Sequence, residues 1–461
     1  MAGIPRAFSA LITSAVIGLP EVPVQAMTIH VPMDAPTIQA GVSLAAPGDT
    51  VEVACGTYTA GAVLKDGIVV RSETGLPGCV TIEIVAGTEA FRATDLYQGT
   101  VIFGFRMVGP PGSARGMLVS GSNVIVRDCD FAGFASESLF GTGISMDGAS
   151  NLTLERCLFE DNTGAIGGGI YSISSTLLMT DCVMQRNRSF GGGALALEYS
   201  QATILNCGFI DNEAISKEGS TPAGGAISNQ DATAQFTISN CLFENNSAEY
   251  GGCISSNDAF GREPTVITNS SFRGNGASTI YDVYDNFSFG GVYSIDNCVF
   301  MENQLFVIVA QVQVRSSLFL QNLGECIQAQ GSSTIENCTF AQNTNSVGPV
   351  IKEASESLVI RNSIVAFSGG GMVPVSCGAR NVTVECCDFY GNGGGDWVDP
   401  PGSDCISSQE FVNGNLTADP FFCDMKQGEF TIQENSPCAP AHSGACGLIG
   451  ALDVFCKPIH V

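Results

Sequence analysis

A chain of 461 residues that is 44% hydrophobic and only 14% charged can build a large core, which excludes wholesale disorder. Its 19 Lys and Arg against 45 Asp and Glu leave a formal charge of −26. That sign excludes a nucleic-acid partner and suits cations, basic partners or colloidal solubility. The three histidines, His30, His442 and His460, leave few places for Ser-His-Asp hydrolysis or His-based metal catalysis. In chain order the first predicted element is a leader. Arg6 precedes an apolar run over residues 7–19, followed by Pro20 and Val24-Gln25-Ala26. This is the pattern of a secretory signal cleaved after Ala26, although a buried N-terminal helix has the same run. No later run reaches the roughly 18 apolar residues of a membrane span. The mature chain is therefore expected to be exported and soluble, in a compartment that permits disulfides, which accounts for its 19 Cys.

A repeat then dominates the chain. It reads NVIVRDCDF at 123–131, NLTLERCLFEDN at 151–162 and TLLMTDCVMQRN at 176–187, and it returns down to NVTVECCDFYGN at 381–392. A Cys/Ser slot falls at 129, 157, 182, 207, 241, 270, 298, 317, 338, 363 and 387, with gaps of 19 to 34 residues centred near 25. Period-2 alternation of β-branched and aromatic residues makes each copy a strand. Gly, Asn and Ser punctuate every copy, and no helix-length apolar pattern lies between copies, which rejects leucine-rich and α-helical solenoids. A strand-turn unit of this length, stacked on its neighbours, is a parallel β-solenoid. About 13 coils fit between residues 50 and 400, a rod of roughly 60 Å at about 4.8 Å per coil. Crossover connections of parallel strands favour right-handed coiling.

Each repeated position has a structural reading. The Cys slot alternates in phase with the apolar residues, so it points inward, and Ser replaces Cys at 270, 317 and 363. Such free replacement excludes a disulfide ladder and predicts buried, reduced thiols at Cys129, Cys157, Cys182, Cys207, Cys241, Cys298 and Cys338. One Cys per coil is also the wrong spacing for a metal site. Five residues after the slot stands Asn162, Asn187, Asn212, Asn246, Asn275, Asn303, Asn322, Asn343 or Asn392. Asn tolerates left-handed turns, and stacked amides can bond from coil to coil. The sequons at Asn337 and Asn381 are by-products of the same repeat. A second phrase, Gly-Gly-x-Ile/Leu, ends at Ile170, Leu195, Ile227 and Ile254 and allows a tight bend into another strand. Strands follow it, so it is not a phosphate loop, which would need a helix.

The Phe-x-x-Asn and Gly-Gly-Ala-Ile phrases resemble the passenger repeats of chlamydial polymorphic membrane proteins. They also resemble secreted bacterial right-handed β-helix proteins of the pectin-lyase-like superfamily. The stretch PTIQAGVSLAAPGDTVEVACGTY at 36–58 is similar to the entry of that superfamily. The resemblance implies a capping helix near residues 37–46, with Ile38, Val42 and Ala45 over the open end, and a turn at Pro47-Gly48-Asp49 into the first strand. It covers nearly all of the mature chain. It implies fold more than function, because the superfamily holds lyases, hydrolases, epimerases and adhesins. Where an autotransporter carries a membrane barrel, this chain has a Cys-rich stretch with Cys405, Cys423, Cys438, Cys446 and Cys456. Similar tails close exported β-helix proteins, and Cys55–Cys79 and Cys438–Cys446 are the preferred disulfides.

The superfamily's catalytic signatures are missing. There is no Gly-His-Gly, no Asn-x-Asp followed by Asp-Asp, no Arg-x-Lys and no Asp-Pro-His; Asp419-Pro420 lacks the His. One constellation survives. Counting onward from Ile227, Ile254 and Ile280 brings Asp231, Asp258, Asp282 and Asp285 to one edge, with Arg262, Phe260, Tyr281, Tyr284 and Phe287. Carboxylates there suit Ca²⁺, with Asp258, Asp282 and Asp285 as ligands, and aromatic faces suit sugar rings. The same acids also read as a solvated turn edge. No cofactor is required by the sequence, and Ca²⁺ is the one such a row would take.

The resulting expectation is an all-β, single-stranded right-handed parallel β-helix. Residues 1–26 form the signal, 27–403 the solenoid and 404–461 a Cys-rich C-terminal cap. Three function classes follow. The leading one is a non-catalytic extracellular or cell-surface monomer that serves as a scaffold or binds a polysaccharide, a cation or a surface partner. The others are a polysaccharide lyase or hydrolase, and a surface adhesin.

Overall fold

The corners of the coil are set by single residues in a left-handed conformation, and their identities explain the repeat. The computed structural model describes residues 25–457 apart from 111, 113, 218–221, 231–235, 258–263, 277, 283–291, 346–347, 355, 379–380 and 400–404. One representative coil consists of strands Ile144–Asp147, Asn151–Glu155 and Leu158–Glu160. Asn151–Glu155 lies in a first sheet, Leu158–Glu160 in a second and Ile144–Asp147 in a third, each parallel to its counterpart one coil on. Between the first and second sheets the chain turns on one residue with φ near +50°. It is Asp or Asn at 128, 181, 206, 240, 269, 297, 337 and 362. Asp and Asn tolerate that region better than other side chains, so the residue before the Cys slot is chosen by backbone geometry.

The second sheet stacks fourteen strands. The solenoid has about 16 turns, more than the repeat count suggests. The first and third sheets merge into one 27-stranded sheet because strand Ile308–Arg315 runs through both without a corner. That is where the gap between slots shrinks to 19 residues. Insertions lie instead on either side of the third-sheet strands, as between Ala214 and Ile227.

Two polar ladders hold the corners. Asn162, Asn187, Asn212, Asn246, Asn275, Asn303, Asn322 and Asn343 are all 0% exposed. Each amide nitrogen but the last donates to the amide oxygen of the next coil's Asn at 2.9–3.2 Å. The same nitrogens donate to a backbone carbonyl of the preceding coil, such as Phe243 O from Asn275 at 3.0 Å. The Cys slot is a second ladder. The backbone N–H of Cys157, Cys182 and Cys207 each meets the sulfur of the next slot at 3.4 Å, and that of Cys241 meets Ser270 Oγ at 3.1 Å. The slot therefore needs a small acceptor more than a small hydrophobe, and that is why Ser alternates with Cys. Between the ladders lies a file of stacked rings. Phe209, Phe243, Phe272, Phe300, Phe319 and Phe340 follow one another at 4.5–4.9 Å.

The solenoid is closed at both ends. Helix Ile38–Leu44 covers the first coil, with Thr37 Oγ1 accepting the Ala40 N–H at 3.1 Å and Ile38, Val42 and Ala45 buried. Gly41 presses onto the coil below; a Cβ there would lie 2.9 Å from methyl groups of Val31 and Val51. At the far end Trp397 stacks on Phe389 at 4.5 Å, while the Gln409 side chain bonds the exposed strand edge at Val382 O and Val384 N. Asn415 Oδ1 takes the Cys387 N–H at 3.0 Å and so ends the slot ladder.

Gln409 and Asn415 belong to the Cys-rich C-terminal segment, which continues beyond them along the outside of the barrel. It turns back as a flap carrying strands Phe422–Asp424, Glu429–Gln433 and Val454–Cys456. Phe422, Phe430, Ile432 and Ile449 pack on Leu320, Ala341, Ile364 and Ala366 of the second sheet's outer side. The sequence showed only that the repeat stops; the apolar stripe at alternate outward positions decides where the tail lies.

Cys55 pairs with Cys79. Cys438 and Cys446, by contrast, do not pair with each other. Cys446 bonds Cys386 and so ties the flap to the last coil, and Cys438 is a buried free thiol. Cys377–Cys405 and Cys423–Cys456 complete four bridges. The seven ladder cysteines are free and buried, with Cys253, Cys326 and Cys387 beside them. Burial pushes the thiols of Cys129, Cys298, Cys338 and Cys387 up to about 12, which makes them unreactive.

Two tests follow from the ladders. Asn275→Ala removes the acceptor for Asn246 N–H and Asn246 Nδ2 and the donor to Phe243 O. It is expected to lower stability in denaturant titration by more than about 3 kcal/mol, because three buried groups lose partners. Cys207→Ser is expected to be nearly neutral and Cys207→Val to cost about 1–3 kcal/mol, through the orphaned Cys182 N–H. Thiol titration of unreduced protein should find eleven free thiols in denaturant and none reacting quickly in the native state.

Candidate functional site

The outer side of the third sheet differs from the other two. Its outward register position runs Tyr171, Ala196, Ser228, Ser255, Tyr281, Val309 and Gln328 over successive coils. Several of these are buried although they lie outside the barrel, among them Ala196 at 2% and Ser228 and Ser255 at 3%. Residues flanking the sheet rise above it and leave a cleft of about 310 Å³ at Tyr281.

Strand Ile280–Asp282 places Tyr281 on the floor of this cleft. Tyr250, one coil back and just before Gly251-Gly252, leans its ring against Tyr281 at 5.2 Å and 43°. Leu305 and Phe306 form the rest of the apolar wall; Glu249, Ser278, Gln328 and Gln330 are the polar lining. Gln330 Oε1 is buried with no hydrogen-bond partner. A similar aromatic pair recurs four coils earlier, where Phe140 leans on Tyr171 at 5.1 Å and 55° and the Tyr171 hydroxyl donates to Glu198 at 2.8 Å.

Of the residues singled out from sequence, Tyr281 lies in the cleft. Asp282 is the last residue of its strand rather than part of a loop, and it shares the register position of Ser256 and Asn229. Asp231, Asp258, Phe260, Arg262, Tyr284, Asp285 and Phe287 lie outside the described residues, and with them most of the Ca²⁺ row. Among the described residues, one group of three metal-type donors stands together, Cys55, Glu73 and Cys79. Its two sulfurs are joined as a disulfide, so it offers no thiolate pair.

Tyr250, Phe306, Glu249, Gln328 and Gln330 went unread in the sequence. The acidic row follows the third-sheet strands, whereas Tyr250 and Phe306 precede theirs. The detectable signal was an aromatic residue directly before a Gly-Gly phrase. Beyond Phe306 the next coil brings Glu325, whose carbonyl accepts the Val307 N–H at 2.9 Å. Burial pushes the Glu325 carboxyl above the ordinary carboxylate range, against the opposing pull of Lys352.

A family model described as "Right handed beta helix region" matches residues 112–287 and 224–410, together more than half of the chain. The chain belongs to the right-handed β-helix family. A curated relative, the metabotropic glutamate receptor-like protein R of Dictyostelium discoideum, is 32% identical over 130 residues. That match spans 27% of this chain and only 7% of the relative. Among solved structures, the PL6 family alginate lyase AlyGC is 13% identical with a TM-score of 0.46, over 92% of this chain and 58% of that one. PfbA, a surface adhesin of Streptococcus pneumoniae, is 12% identical with a TM-score of 0.35, over 79% and 92% of the two chains. None of these likenesses assigns an activity to this β-helix.

A strongly perturbed carboxyl lies away from the cleft, under the flap. Asp388 is 0% exposed; its Oδ1 accepts the Ala418 N–H at 3.0 Å and its Oδ2 the Cys438 thiol at 3.1 Å. Burial raises it from 3.8 to about 7, with Asp396 and Asp419 adding to the rise. A raised carboxyl binds its proton more tightly in the folded state. The contribution of Asp388 to stability is therefore fully present below the ordinary value, is lost as pH rises from about 4 to about 7, and is level above that. Asp388→Asn is expected to raise the melting temperature of the protein at pH 8 and to leave it nearly unchanged at pH 4. Thermal melts of both proteins at the two values check this.

Proposed function

We propose that this β-helix is an exported, non-catalytic carbohydrate-binding protein whose ligand docks in the cleft at Tyr250 and Tyr281. The carrying observation is the pair of leaning tyrosine rings over a cleft whose polar lining is mainly amide, hydroxyl and carboxylate. An aromatic face matches the C–H face of a sugar ring, and oxygen acceptors beside it match the ring's hydroxyls. The fold supports this use. Tyr281 sits on a strand paired on both sides, so the platform is held rigidly and little ordering is needed on binding. The described lining includes a single carboxylate, Glu249, whereas glycoside hydrolysis ordinarily takes two flanking the bond. Export is supported by four disulfides, which persist in oxidising compartments. No helix among the described residues is long and apolar enough to cross a membrane.

Affinity electrophoresis in gels containing soluble polysaccharides tests the reading. The parent protein should be retarded in at least one gel. Tyr281→Ala and Tyr250→Ala should each weaken that retardation roughly tenfold, as loss of a central aromatic contact does, while the melting temperature is kept. Retardation unchanged in both variants refutes the cleft as the site. New reducing ends accumulating over time refute a purely binding role.

A further inference from the structure

We infer that the cleft selects sugars presenting hydrogen-bond donors and no negative charge, neutral or amino sugars, and rejects polyuronates. The inference rests on the glycan-binding reading above and specifies the substrate class. Three observations carry it. Glu249 is the one charged side chain among the described residues that line the cleft. Gln330 lines the cleft and its Oε1 is a buried acceptor with no donor among the described residues, so a ligand O–H or N–H that reached it would meet an unfilled acceptor. In the same register Lys352 follows Gln328 one coil on, outside the described lining of the cleft, and its charge acts on the Glu325 carboxyl. A sugar carboxylate would therefore meet acceptors and a carboxylate, with no cation among the described lining residues to pair with it. A hydroxyl or ammonium would satisfy the orphaned amide oxygen and Glu249 together. The formal charge of −26 acts in the same direction at long range, drawing in basic polymers and repelling polyuronates.

Calorimetric titration of the whole protein with short oligomers of glucosamine, of glucose and of galacturonic acid tests this, in parallel with Tyr281→Ala and Glu249→Gln. The expected order is glucosamine tightest, glucose next and galacturonate at least roughly tenfold weaker than glucose, a difference that one unmatched charge readily supplies. Glu249→Gln should remove most of the glucosamine preference without changing the melting temperature. Added salt should narrow the gap between glucosamine and glucose. Galacturonate binding as tightly as glucose, and lost in Tyr281→Ala, would overturn the selection rule while leaving the glycan cleft standing. No binding by any oligomer would overturn the glycan reading itself and this inference with it.

Discussion

An uninterrupted file of buried amides governs this molecule. An Asn side chain has one acceptor and one two-proton donor, and inside a barrel both must be met. Stacking Asn162 to Asn343 at 2.9–3.2 Å meets them only if every coil returns to the same place. The corner after the second sheet therefore cannot accept an insertion, and neither can the corner at the Cys slot, where backbone N–H groups find sulfur or hydroxyl one coil on. Length variation is driven to the two flanks of the third sheet. Those flanks are where walls rise and the cleft forms.

The three outer surfaces have consequently been put to different uses. The first sheet is bordered by ion pairs between coils, such as Arg127–Glu155, Arg315–Glu336 and Arg361–Glu385. Exposed pairs of this kind add little stability and keep a long parallel sheet soluble. The second sheet carries outward Leu and Ala near its C-terminal end, and the flap covers them. The third carries tyrosines beside small residues under raised edges. There an aromatic pair and an unpaired amide oxygen line one cleft.

The cysteines show two chemistries in one chain. Ten thiols inside the barrel, and Cys438 under the flap, are free and buried, which keeps the thiolate out of reach and oxidants away. At the ends, where no further coil supplies packing, eight are spent in disulfides that tie the entry strand, the plug and the flap. The exchange is physical: a middle coil has neighbours on both sides, whereas a terminal one has a neighbour on one side and needs a covalent or helical cover.

The repeat alone determined the solenoid, its strands and the burial of the free ladder thiols, because each depends on local alternation and on what recurs at one position, whereas the capping helix was legible from the resemblance of residues 36–58 to a known entry segment. The repeat did not determine which surface is used. The partner of Cys446, the path of the flap and the contact of Tyr250 with Tyr281 join residues from different coils or turns, and their meeting depends on register summed over unequal loops. Asp282 shows the limit. Counting from Ile280 placed it with loop acids, yet the strand runs through it and puts it in line with Ser256. A one-residue difference in where a strand ends changes which side a residue serves. Only the assembled coils, with each strand held against the next, decide that.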